Sequence, residues 1–290
     1  MQSLWIVVAG LAFALMGVCV KIGAADFSAA ELVFYRAIIQ VTMAWVMLAQ
    51  AGVAVSTPRI GMHVHRGVSG FVSLFMFFYA LTILPVATAM TLNYTSPVFL
   101  AILLAWLERK RPRGRLVLTV VLGFAGCVLL LRPTLSAGQV WPAAVGLASG
   151  AISAIAYWNV RELVRAQEPE ARVVFYFGVF ALLGALVWMA PQTWHPITTG
   201  NAGALAGVGI FGAVGQLAMT RAYGQGTTLV VAALSYSGIV FSSVLGILIW
   251  NDVLPWPAWL GIALIVAAGI IAVQSRPGAR REPAPQITND

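Results

Sequence analysis

Residues 33–40 read "VFYRAIIQ", and residues 174–181 read "VFYFGVFA". Each octet lies near the start of an apolar stretch, and the two are offset by 141 positions. Two further pairs recur at almost the same distance. "NYTSPVF" from Asn93 matches "SYSGIVF" from Ser235, offset 142, and "GLAFA" from Gly10 matches "GLASG" from Gly146, offset 136. One duplicated unit with small insertions explains all three pairs.

The duplicated unit is membrane-embedded. Of 290 residues, 60% are hydrophobic and 9% are charged, and the mean hydropathy is +0.90. A soluble domain cannot carry that composition on its surface. Apolar stretches of roughly twenty residues, the length that crosses about 30 Å of hydrocarbon, recur at 2–20, 30–50, 67–84, 87–107, 116–131, 142–160, 173–190, 202–222, 228–250 and 256–273. The spacing thus predicts an all-α polytopic membrane protein with ten transmembrane helices, five in each copy. An odd number of spans per copy makes the second copy enter the membrane from the opposite side. The expected organisation is an inverted repeat, with units 1–136 and 137–275 and a disordered tail 276–290. Repeats related by an axis in the membrane plane are the architecture from which many secondary transporters build two alternately accessible states.

The net charge of +8 does not point to nucleic acid, because no soluble domain is present to hold a solvated basic face. Placing the N-terminus in the cytoplasm puts Lys21 and Arg132 outside and Arg36 within a span. The remaining fourteen of seventeen basic residues then fall in inner loops or the tail, among them Arg59, Arg66, Arg161, Arg165, Arg172 and the run "ERKRPRGR" from Glu108. This positive-inside bias predicts that both termini are cytoplasmic. A cleaved signal peptide is a poorer reading of residues 1–25, since no basic residue precedes Lys21 to form its charged head. Cys19 and Cys127 both fall in apolar segments and are read as packing residues.

An intramembrane enzyme would need convergent nucleophiles, titratable groups or metal ligands, and the inventory is poor. His63 and His65 are expected in an inner loop, and His195 in an outer one, none with carboxylates at ligand spacing. No metalloprotease, serine-hydrolase or phosphate-loop motif occurs in the sequence, which also disfavours an ATP-driven pump. No cofactor or metal is expected, and the chain is read as not an enzyme.

The aromatic residues separate into two groups. The ten tryptophans fall at or near span ends, where an amphipathic ring prefers headgroup depth. At mid-depth, Phe75, Phe77, Phe78, Tyr79, Tyr94, Phe99, Tyr236 and Phe241 remain. A tyrosine hydroxyl there must find a partner that hydrocarbon does not supply. Asn93, Tyr94, Ser235 and Tyr236 are the most polar mid-depth points of both halves, and Pro97 and Gly238 weaken the helices beside them. With Tyr79, and with Gln216 emerging from the glycine-rich eighth span, these residues are read as substrate-binding. Helix-to-helix hydrogen bonding is the alternative reading for Asn93. None of the nine acids lies at the bilayer centre, so facilitated exchange is at least as plausible as proton coupling. Glu31 and Arg36 are expected at an outer vestibule or gate. Phe177 occupies the position of Arg36 in the second copy, so the fold alone does not demand arginine. Arg36 is read as receiving a cargo carboxylate, holding a gate, or anchoring the helix at the surface.

The ten spans, the five-plus-five duplication, the "ELVFYR" opening of span two and the tyrosine–serine segments of spans four and nine together resemble the EamA family of the drug/metabolite transporter superfamily. The resemblance covers the chain up to Arg276. It implies a small-molecule transporter of the bacterial inner membrane, monomeric or homodimeric. Within the family the chain is most similar to broad-specificity exporters of amino acids, including aromatic ones. The second reading is uptake of a larger metabolite such as S-adenosylmethionine or riboflavin, and the third a non-transport membrane component. Export as the direction comes from the resemblance alone.

Overall fold

In hydrocarbon every backbone N–H and C=O must be satisfied within the chain, so long apolar segments close their own hydrogen bonds as helices. The computed structural model describes residues 2–84, 86–109, 114–133, 138–251 and 253–274. Lys110, Arg111, Arg113 and the tail 276–290 lie outside them, as does the side chain of Phe78. Among the described residues all regular structure is helical. The elements are α1 (Trp5–Gly23), α2 (Ala29–Gln50), α3 (Ile60–Ile83), α4 (Val86–Asn93), α5 (Ser96–Leu107), α6 (Gly114–Leu131), α7 (Val140–Arg165), α8 (Glu170–Met189), α9 (Ala202–Gln225), α10 (Thr228–Leu234), α11 (Ser237–Trp250) and α12 (Trp256–Gln274). Nine stretches of the described chain are long and apolar enough to cross a bilayer; α4 with α5 supplies one of them and α10 with α11 another. The remaining predicted stretch, 67–84, falls mostly in α3, which is 24 residues long.

The order of helix lengths and breaks in α1–α6 recurs in α7–α12. The packing has the same symmetry: α1 lies on α9 as α3 lies on α7, while α2 meets α8 and α6 meets α12. Exchanging equivalent helices leaves this set of neighbours unchanged. Small residues allow the closest approaches. A Cβ on Gly126 would stand 2.7 Å from the carbonyl oxygen of Gly261, so the backbones of α6 and α12 are in contact.

The helices extend past the hydropathy boundaries and carry polar side chains into the bundle. Helix α3 begins at Ile60, and His63 and Arg66, expected in a loop, are buried within its first two turns. Arg161, also expected in a loop, is buried near the end of α7 and reaches Glu108 at 2.5 Å. Hydropathy registers these residues as span-ending because it cannot see the partner.

Candidate functional site

Two helix breaks face each other. The stretch Thr88–Leu107 is interrupted at Tyr94–Thr95, between α4 and α5, and its counterpart Thr228–Trp250 at Ser235–Tyr236, between α10 and α11. Hydrogen bonds shorten to three-residue spacing at both, from Thr95 N to the Leu92 carbonyl (3.2 Å) and from Gly238 N to that of Ser235 (3.2 Å). Pro97 sits in the first turn of α5, where its missing N–H costs nothing. The breaks bring Tyr94 and Tyr236 together, with ring centroids 6.2 Å apart. Tyr236 is fully buried, and among the described residues its hydroxyl has no hydrogen-bond partner. Its ring fills the space opposite Gly123, where a Cβ would stand 2.5 Å from it.

The other residues expected here take separate positions. The Asn93 amide donates to Ser149 Oγ of α7 (3.1 Å), which itself donates to the Gly146 carbonyl (2.6 Å). Ser235 Oγ donates to its own helix at the Ala232 carbonyl (2.8 Å). Gln216 is buried on α9, one turn beyond Gly212, whereas Tyr79 is 37% exposed on α3. Two tyrosines that the sequence did not single out join the interior: Tyr157 of α7 stacks on Tyr223 of α9, centroids 4.8 Å apart and planes within 8°. Both stand near the hydropathy-defined span ends, but α7 and α9 continue to Arg165 and Gln225, which carries them inward.

The antiparallel pair α2–α8 is fastened at both ends by a buried carboxylate. At one end Ser28 and Glu31 form a capping box. Glu31 also accepts from His195 N (2.7 Å) and lies 2.9 Å from His195 Nδ1. At the other end Glu168 accepts from Thr57 Oγ1 (2.6 Å) and Arg172 Nη1 (2.8 Å), and lies 3.2 Å from His63 Nε2. Burial alone would raise the Glu168 pKa, but the hydrogen bonds from Thr57, Arg172 and His63 hold it below the ordinary carboxylate value. The two fastenings sit at comparable places in the two halves, although in the register that pairs Val33 with Val174 Glu31 aligns with Arg172 and Thr57 with Thr198. In each half a carboxylate at the head of the second helix grips the loop that follows the second helix of the other half.

Arg36 of α2 lies against Gly212 of α9, and Arg66 of α3 lies over the Phe177 ring of α8, 4.1 Å from its centroid. A cavity of about 450 Å³ opens between α10, α11 and α12; its walls are mostly apolar, Leu234, Val240, Phe241 and Ile265 among them, with Ser237 and Gln274 as the polar residues of the lining. The tyrosine pair and the two arginines lie outside this lining.

Mirrored helix breaks around a polar interior, in a bundle of membrane-length helices, define a class: a multi-pass membrane transporter of small molecules. The EamA-like transporter family model matches residues 1–132 and again 140–274, and the chain belongs to that family. It is 34% identical to the pseudopaline exporter CntI of Pseudomonas aeruginosa (strain UCBPP-PA14), over 94% of this chain and 95% of that protein. Identity to a riboflavin transporter of Vibrio cholerae is 27%, over 91% and 90% of the two chains. For an S-adenosylmethionine uptake transporter of Rickettsia prowazekii it is 24%, over 77% and 74%. A solved crystal structure superposes with a TM-score of 0.83 at 21% identity, covering 94% of this chain and 97% of the other, which establishes the shared fold. The family and the transporter-named relatives point to transport rather than catalysis.

Proposed function

We propose that the protein exports small metabolites of the amino-acid class, aromatic ones included, across the bacterial inner membrane by alternating access. In this reading ten crossings form an inverted repeat of units 1–136 and 137–275, with both termini cytoplasmic, an orientation supported by the bias of basic residues toward one set of loops. The observation that carries the reading is the meeting of Tyr94 and Tyr236 at two equivalent helix breaks. Discontinuous helices at a repeat interface are where such transporters hold cargo. Tyrosine rings offer a stacking surface, and the unpartnered Tyr236 hydroxyl offers a hydrogen bond. The Glu31–His195 and Glu168–Thr57 fastenings serve as outer and inner gates, one released while the other holds. Export is supported by likeness to a relative named as an exporter.

Counterflow into proteoliposomes tests the function. Vesicles preloaded with unlabelled compound are offered its radiolabelled form, using phenylalanine, tyrosine, leucine, riboflavin and S-adenosylmethionine in turn. Saturable accumulation of amino acids above protein-free vesicles is expected. Accumulation of riboflavin or S-adenosylmethionine alone would favour the reading suggested by the other two relatives. No accumulation of any compound would reject transport of these classes.

A further inference from the structure

Most carboxylates of the described chain are already committed. Glu31 holds His195, Glu108 and Glu162 pair with Arg161, Glu168 gathers Thr57, His63 and Arg172, and Glu170 accepts from Gln225; Asp26 is exposed. Two cations of the bundle interior are left over. Among the described residues neither Arg36 nor Arg66 has a carboxylate partner. Arg36 Nε and both Nε and Nη1 of Arg66 are buried without any acceptor. Arg36 stands on α2 and Arg66 rests on Phe177 of α8, and α2 and α8 pack directly on each other. A buried charge normally persists only with a counter-charge or a route to water.

The bundle is shaped around both groups. Arg66 Nη1 lies where Gly70 has no side chain, since a Cβ there would stand 2.2 Å from it. Arg36 Nε lies over Gly212, 2.9 Å from where a Cβ would be. Placement also follows the repeat. Phe177 is the counterpart of Arg36, and the ring of Phe177 is the surface on which Arg66 rests. The second half thus regains, from α3, the cation that its own second helix lacks. The ring attracts the guanidinium face but accepts no in-plane N–H, so the hydrogen-bonding edge stays unsatisfied. Arg36 as a whole keeps partial exposure although its Nε is buried, as a group bordering an internal passage would.

We infer that Arg36 and Arg66 together form an intramembrane anion site whose ligand is a carboxylate group of the cargo. This rests on the transporter reading and narrows its substrate class to carboxylate-bearing metabolites. Guanidinium edges match carboxylates in bidentate geometry, and two cations of the first half, one at Arg36 and one over the ring of its counterpart Phe177, offer the carboxylate two partners. The cargo anion is the missing counter-charge.

The test reads binding separately from transport. Thermal unfolding of the purified full chain is followed with increasing glutarate, glutaramide or inorganic phosphate at constant ionic strength. Glutarate should raise the midpoint saturably and glutaramide should not. Arg36→Gln and Arg66→Gln should each weaken the glutarate effect about tenfold or more, the loss expected for a charge-assisted hydrogen bond. Without ligand, both variants should fold at least as well as the parent, because each removes an uncompensated charge. Stabilisation by phosphate but not glutarate would overturn the carboxylate assignment. Absence of any anion effect would overturn the site. Loss of folded protein in the Gln variants, recovered in Arg36→Lys and Arg66→Lys, would make the cations structural and overturn it too. A glutarate effect that depends on both arginines, in protein inactive in every counterflow assay, would uphold the anion site and remove the transport reading instead.

Discussion

Glu168→Ala is expected to cost about 3–5 kcal/mol of stability, the range for removing one partner from a buried charge network. The carboxylate is 2% exposed and is the common acceptor for Thr57, His63 and Arg172, with Arg59 at 3.9 Å. Its loss leaves the fully buried His63 imidazole without its carboxylate and the largely buried Arg172 guanidinium with only the Ala54 carbonyl. Thermal unfolding in detergent measures the effect, and a shift no larger than that of an exposed ion-pair deletion would refute the assignment. Because the folded-state pKa of Glu168 is lowered, its contribution is complete above the unfolded carboxylate value. It disappears as pH falls through the lower folded value. Glu168→Gln should therefore flatten the acid limb of the stability profile while leaving the alkaline side unchanged in slope.

Gly150→Leu is expected to be strongly damaging at the break between α4 and α5. A Cβ there would stand 2.4 Å from Thr95 Oγ1 and 2.8 Å from the Leu92 carbonyl, at the break between α4 and α5. A backbone oxygen cannot rotate away, so α7 must withdraw from the break. Overpacking of this kind costs about 1–3 kcal/mol or more. Folded yield and unfolding midpoint should both fall, and counterflow should fall with them. Gly17→Leu is the control, because nothing lies within 4 Å of its Cβ position. Equal loss in both variants would show a general effect of added bulk rather than a contact at the break.

The crossings were legible in the sequence because length and apolarity are local properties, and the bilayer demands both. The breaks were legible because Pro97, Gly238 and the tyrosine–serine pairs mark them in both copies. Their duplication singled out Tyr94 and Tyr236 as a pair, and the structure places them in contact. Arg66 was not legible. It stands next to the predicted third span, and only Phe177, more than a hundred residues away, explains why the helix carries a charge inward. His195 and Glu31 likewise meet across 164 positions, a separation at which spacing arguments are silent. Tyr157 and Tyr223 were missed because hydropathy ends a span at its first polar cluster, although the helix continues wherever the bundle satisfies that cluster. Asn93 illustrates the opposite limit. Its polarity was visible, but its use as a donor to Ser149 depends on the neighbouring helix.

Alternating access is the central claim, and paired distance measurements between spin labels in nanodiscs address it most directly. One pair, Asp26 with Thr198, flanks the Glu31–His195 fastening; the other, Ser56 with Gln167, flanks the Glu168 cluster. All four residues are exposed. His195→Ala should lengthen the first distance while the second stays short, and Thr57→Ala should do the reverse. During counterflow each pair should show a short and a long population, with the long population of one rising as that of the other falls. Distances that lengthen together, or a single unchanging distance in both pairs of a transporting protein, would contradict the account.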